Sequence, residues 1–169
     1  MKPILLFTML LTVSANVFSQ DLARIGSAAI SFVFEDNDVN GTISGFSSSS
    51  NIDLQNFENS TFEGSVAVTT IKTGNFLRDW SLKSGKYFDE DEHPRLFFKS
   101  SSVVSNENGF LVNGDLTLKG TTKPITFDFR KNGDRLIGTT TLFVSDYGIH
   151  IKKEREQNKV TVKLDLQLR

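Results

Sequence analysis

The chain has 169 residues, a formal net charge of −1, 23% charged residues of both signs and no cysteine. This length suits one domain with a sizeable core, and the interspersed charge leaves no basic field to draw nucleic acid or an anionic membrane. The missing cysteine excludes disulfides, thiolate chemistry and a lipid-modified cysteine anchor.

In chain order, the first segment reads MKPILLFTMLLTVSANVFSQ. Lys2 precedes an apolar run from Ile4 to Val13, and small residues lead to Ser19. The run is too short to span a bilayer and predicts a secretory signal peptide over 1–19, followed by a single domain over 20–169. The product is expected to be periplasmic or secreted, with no integral membrane span.

Beyond the leader, apolar and polar residues alternate in short runs. Ile30, Phe32 and Phe34 share a face, as do Ile52 and Leu54, and then Phe62, Val66 and Val68. The same holds for Phe110, Val112, Leu116 and Leu118, for Ile125, Phe127 and Phe129, and for Val160, Val162, Leu164, Leu166 and Leu168. Asn108-Gly109, the stretch from Leu118 to Pro124, and Asn132-Gly133 carry hairpin chemistry. Many short alternating strands joined by tight turns predict an all-β fold, either barrel or sandwich. Sequential hairpins favour an antiparallel meander that closes on itself and so removes its edges. Fifteen Phe residues measure how much apolar surface must be covered.

The alternation breaks at TGNFLRDWSLKSGKYF, from Thr73 to Phe88. Phe76, Trp80, Leu82, Tyr87 and Phe88 are spaced irregularly there, which predicts a short helical covering segment over residues 73–88, across one end or side of the sheet. Strand pairing is expected to resume near Leu96, with Leu96 and Phe98 inward.

A set of short motifs runs in order from this segment onward. Arg78-Asp79 is followed by Leu82, Phe88-Asp89 stands before Pro94, Gly114 to Gly120 leads into Thr122 to Pro124, and Ser145 to Gly148 comes last. In combination they resemble the YceI-like family, exported lipocalin-like proteins associated with polyisoprenoid binding. The resemblance implies an eight-stranded antiparallel lipocalin-like barrel whose elongated interior holds an isoprenoid chain. Three departures from the family pattern stand out. Ser81 replaces a usual His, Glu35-Asp36-Asn37-Asp38 stands where another His commonly ends the first strand, and Val144 replaces an Arg before the Ser-Asp-Tyr-Gly motif. Whatever polar contact those family positions make, this chain does not make it with the same groups.

With the resemblance, the inward apolar residues become a candidate ligand cavity: Phe32, Phe34, Phe46, Phe62, Val66, Val68, Phe98, Leu116, Ile125, Phe127, Phe129 and Tyr147. Phe76, Trp80 and Leu82 are expected to close over it from the covering element. Alternation alone does not separate this from a solid core. Arg78 is the candidate contact for a polar head group, because its fork of donors suits phosphate or carbonyl oxygens. The other role open to Arg78 and Asp79 is to cap and pin the covering helix.

The run Asp89 to Glu92 with His93 has carboxylates but lacks the Gly and alternate spacing of a calcium loop, and no second His or Cys completes a zinc site. It reads as a solvated acidic loop, and no metal is assigned. Ser145 and Asp146 near His150 bring a triad to mind, yet no nucleophile elbow or phosphate loop accompanies them, and no catalytic residue is assigned. The expectation is a non-enzymatic binding protein without a catalytic cofactor, whose partner is a small apolar lipid of polyisoprenoid or isoprenoid quinone type. The alternative is a ligand-free extracellular interaction or stress-response barrel with a solid core. A homodimer is left open.

Overall fold

The structure, a computed structural model, describes residues 22–169. The predicted signal peptide and its cleavage point lie outside the described residues. Strands β1 (Leu22–Ala23), β2 (Ile25–Phe34), β3 (Val39–Ile43), β4 (Ser47–Ser48), β5 (Ile52–Asp53) and β6 (Glu63–Ala67) come first. One helix, α1 (Phe76–Lys83), precedes the long strands β7 (Arg95–Asn106), β8 (Gly109–Leu118), β9 (Thr121–Asn132), β10 (Arg135–Phe143) and β11 (Lys159–Leu168).

The predicted meander is present, and its turns sit close to the expected places. Asn106 faces Gly109, Leu118 faces Thr121 and Asn132 faces Arg135, so β7 to β10 are joined by three two-residue loops. Lys119 and Gly120 have φ of 47° and 71°, the left-handed pair that matches a hairpin turn to the twist of its strands. The other two turns are shifted by one residue from the sequence reading. Gly109 opens β8 and Asn132 ends β9, leaving Glu107-Asn108 and Gly133-Asp134 as the loops.

The main sheet has nine strands in the order β3-β2-β11-β10-β9-β8-β7-β6-β4, all antiparallel neighbours. The expected count was eight, and a kink accounts for the difference. β3 and β4 lie on one stretch of chain bent at Gly45, whose φ of 70° is a left-handed conformation that glycine adopts without a Cβ clash. The half before the kink pairs with β2 and the half after it pairs with β6. First and last strands of the order are therefore one segment, and the sheet curls round to meet itself. Across the join the Ala67 N–H donates to the Ser44 carbonyl at 2.9 Å.

Two expected strand faces end early. β5 pairs with β1 in a separate two-stranded piece, so Ile52 is buried while Leu54 is 39% exposed instead of inward. β6 stops at Ala67, and Val68 opens a 3-10 turn, where it packs with Ile43 and Ile71.

The two ends of the curled sheet are packed. At the end where β2 begins, the floor, Ile25, Ile52, Phe62, Phe110, Phe129, Leu136 and Leu166 form one buried cluster. Its rings stack: Phe57 on Phe110 at 4.3 Å, Phe110 on Phe129 at 5.6 Å and Phe62 on Phe129 at 5.4 Å between centroids. The loop from β5 to β6 closes this end and is held by the Asp53 carboxylate, which accepts from the Gln55 and Asn56 N–H groups at 2.9 and 3.0 Å. At the far end, Phe34, Leu118, Leu142, Val144, Tyr147, Ile149 and Val160 form a second cluster. The connection from β10 to β11 is anchored beside it by Asn158. Its fully buried amide accepts from Ile151 and Lys152 and donates to the Lys152 and Glu154 carbonyls.

Candidate functional site

Between the floor and the far cluster the fold is hollow. A cavity of about 390 Å³ is bordered by Ile30, Phe32 and Phe34 of β2, Val39 and Ile43 of β3, and Leu96 and Phe98 of β7. Leu116 and Leu118 of β8, Phe127 and Phe129 of β9, and Val160, Val162, Leu164 and Leu166 of β11 complete most of the apolar wall. The register explains the hollow. Ile30 faces Leu164, Phe32 faces Val162 and Phe98 faces Leu116, so apolar side chains ring the middle of the barrel at matching heights. Yet Ile30, Phe32, Leu96, Phe98, Leu116, Val162 and Leu164 are only partly buried, whereas inward residues above and below them are buried. Inward apolar surface left uncovered is the mark of space that the chain itself does not fill.

Glycines let some rings lie flat against the wall. Gly41 stands opposite Phe32, and a Cβ on it would meet the ring at 2.2 Å; Gly138 stands opposite Phe129, with the same clash at 2.4 Å. Larger residues there would push those rings into the lumen.

Of the residues singled out from sequence, Phe32, Phe34, Phe46, Phe62, Val66, Leu82, Phe98, Leu116, Phe127 and Phe129 border the cavity. Five do not. Val68 is buried in the side cluster with Ile43 and Ile71. Ile125 and Tyr147 border a separate polar cleft on the seam where β9 and β10 part, because their pairing ends at Thr139 opposite Asp128. Burial and the charge of Asp146 push the Tyr147 phenol up to about 12. Phe76 and Trp80 were expected to close over the cavity, but they point to solvent, 80% and 69% exposed. Residues four apart share a helix face, whereas Leu82 follows Trp80 by two and so lies on the opposite one, toward the cavity.

Arg78 does both things considered for it. Its guanidinium donates to the Thr73 hydroxyl at 2.7 Å and to the Thr73 carbonyl at 2.9 Å, and it also borders the cavity. Asp79 accepts from the Thr73 N–H at 2.7 Å, and the Asn75 side chain caps the helix by accepting from the Arg78 N–H at 3.0 Å. The pair thus pins the start of α1. Asn37, Thr73 and Ser81 add neutral polar groups at the cavity border, and Ser48, Ser50, Glu63 and Ser65 add others from the β4–β6 segment. Sequence reasoning missed these polar groups, and it did not place Ile30, Val162, Leu164 or Leu166 in the site although their alternation marked them inward. The three departures from the family pattern meet here, since Asn37, Ser81 and Val144 all border the cavity.

The other sequence constellations do not assemble. Asp146 is held by two bonds from Arg155, at 2.7 and 2.8 Å, which keep its carboxyl below the usual range, and His150 is exposed. The Ser145 hydroxyl is buried without a partner. Among the described residues no three His, Asp or Glu side chains gather as a metal-holding group, and no helix is long and apolar enough to cross a membrane.

A curled antiparallel sheet around an apolar lumen, closed at its ends by packed clusters, defines a lipocalin-like β-barrel. The chain belongs to the YceI-like family, whose sequence profile matches residues 23–168. It is 33% identical over 124 residues to a UPF0312 protein of Vibrio parahaemolyticus, covering 67% of this chain and 66% of that one. A UPF0312 protein of Staphylococcus aureus is 32% identical over 125 residues, covering 68% and 71%. These matches span about two thirds of each relative's length.

Among solved structures the fold is similar to BcnA of Burkholderia cenocepacia, with a TM-score of 0.69 at 20% identity, covering 82% of this chain and 94% of that one. It is also similar to the YceI protein of Campylobacter jejuni, with a TM-score of 0.66 at 15% identity, covering 78% and 85%. A polyisoprenoid binding domain of Saccharophagus degradans gives a TM-score of 0.59 at 14% identity, covering 87% and 96%.

Proposed function

We propose that this protein binds one long apolar lipid, a polyisoprenoid or an isoprenoid quinone, in the hollow middle of the barrel, and that it does so without catalysing a reaction. The observation that carries this reading is the ring of partly uncovered apolar side chains around an unfilled cavity, which lies within the ~300–1,000 Å³ typical of small-ligand sites. Burial of each ligand methylene contributes about 0.8 kcal/mol, offset by the entropy of fixing a flexible chain. The name of the Saccharophagus relative supports the ligand class.

Asn37, Thr73, Arg78 and Ser81 would meet the polar end. With Ser81 and Val144 where the family pattern carries ionisable side chains, a neutral head such as an alcohol or quinone suits this border better than a diphosphate. The apolar leader at 4–13 supports a periplasmic or secreted site of action.

The reading is tested by titrating geranylgeraniol into the protein in buffer, against the Leu164→Trp variant, in which an indole occupies the lumen. Saturable one-to-one uptake by the parent and its loss in a folded Leu164→Trp variant are expected. Equal uptake by both would place the ligand elsewhere.

A further inference from the structure

The outward face of α1 is apolar and has nothing packed on it. Phe76, Leu77 and Trp80, exposed by 80%, 74% and 69%, are three of the seven large apolar side chains that stand exposed among the described residues. Helical spacing puts them on one face, with Lys83 beside them. On the other side of the same eight residues, Arg78, Ser81 and Leu82 border the cavity. The apolar patch and the cavity border are thus two faces of one helix.

The chain as a whole has no basic field, but its charge is unevenly placed around this helix. Over residues 72–86, Lys72, Arg78, Lys83 and Lys86 stand against the single carboxylate of Asp79, which is already occupied by Thr73. None of the four cations belongs to an ion pair among the described residues. Arg78 turns to the cavity and Thr73, which leaves Lys83 beside the apolar side chains with Lys72 and Lys86 close in the chain. An apolar, aromatic face edged by lysine matches the boundary of a bilayer, where acyl chains meet charged head groups.

We propose that the outward face of α1 is a docking surface for a lipid bilayer, with Phe76, Leu77 and Trp80 entering the head-group boundary. Docking would hold the cavity border under α1 against the membrane from which an apolar guest must come; this loading route rests on the cavity reading above. A second copy of the chain fits the patch less well. The three side chains expose on the order of 450 Å², about half of what one partner contributes to a stable protein interface. The acidic run Asp89 to Glu92 follows α1 and opposes anionic head groups, so insertion of the apolar side chains is the main drive and charge the smaller one.

Trp80 is the only Trp in the chain, so its emission reports on this face alone. The experiment adds phosphatidylcholine–phosphatidylglycerol vesicles to protein purified from its own host, with co-sedimentation as a second readout. A blue shift of Trp80, quenched by brominated lipids, is expected. The Phe76→Ser, Leu77→Ser double variant should keep the parent urea midpoint and partition about tenfold or more weakly.

No shift and no co-sedimentation would overturn the proposal, as would a shift that grows with protein concentration without lipid, which would assign the face to a second copy. Geranylgeraniol uptake in vesicle-free buffer is measured on the same preparation after its bound lipid has been removed. Uptake without docking overturns the docking surface alone, whereas docking without uptake upholds it and overturns the cavity reading.

Discussion

The floor and the hollow middle of the barrel are built from the same residue types on the same strands, and they differ in one respect, whether the chain fills its own interior. At the floor, Phe57, Phe62, Phe110 and Phe129 stack on one another and the β5–β6 loop covers them. Two residues further along β11 and β2, Val162, Leu164, Ile30 and Phe32 face one another across the same sheet and remain partly uncovered. Aromatic content therefore does not decide between a core and a container. What decides is whether a loop donates side chains to the lumen: β5 and the segment after it supply Ile52, Phe57 and Phe62 to the floor, while α1 offers the cavity Arg78, Ser81 and Leu82 and turns its large residues outward.

The comparison can be broken by substitution at each level. Phe110→Ala at the floor should lose about 3–5 kcal/mol of unfolding free energy in urea titrations, because a ring enclosed by Phe57, Phe62 and Phe129 leaves a cavity behind. Leu164→Ala in the hollow should cost on the order of 1 kcal/mol, since the space beside it is already empty. Equal losses would mean that the middle is packed too.

Filling gives the reverse pattern at smaller magnitude. Val112→Phe at the floor should destabilise by about 1–3 kcal/mol through overpacking, whereas Leu164→Phe should change stability by less than about 1 kcal/mol while weakening lipid uptake. Gly41→Ala sharpens the same contrast, because its Cβ has no room beside Phe32, whose ring must swing into the lumen, and lies 2.8 Å from the Lys72 carbonyl, which must also give way. Reduced geranylgeraniol capacity with a retained fold is expected, and unchanged capacity would show that the ring has another place to go.

The smallest effect concerns pH. The backbone N–H groups of Asn56 and Gln55 hold the Asp53 carboxyl below its usual range. A lowered folded value stabilises the fold above the ordinary carboxylate range, about pH 4, and that contribution is lost as pH falls through the folded value. The parent should therefore lose more urea resistance between neutral and acid pH than Asp53→Asn, which already lacks the charge. Parallel pH profiles for the two would remove Asp53 from the account of how the floor is held.

Much of this was legible in the sequence, and the rest was not for identifiable reasons. Period-two alternation exposed the inward stripes of β2, β8, β9 and β11, and turn chemistry located the three hairpins to within one residue. The bend at Gly45 that joins β3 to β4 was invisible, because a lone glycine between Ser44 and Phe46 carries no period. Grouping Phe76 and Trp80 with Leu82 as one lid misplaces the first two. Helical spacing already forbade a shared face, but only the bonds from Arg78 and Asp79 to Thr73 show which face turns inward. Ile125 shares its stripe with Phe127 and Phe129, and no pattern signalled that β10 leaves β9 at that height. Above all, alternation reports direction and not volume, so it marks Phe110 and Phe32 as equals when one is enclosed in the floor and the other borders empty space.

The most direct test of the hollow middle is native mass spectrometry of the protein purified from its own host, followed by organic extraction of whatever it carries. The account predicts a one-to-one complex whose extracted mass is an isoprenoid lipid, absent from the Leu164→Trp variant prepared in the same way. A protein that is empty from its host and takes up neither polyprenols nor quinones afterwards would contradict it.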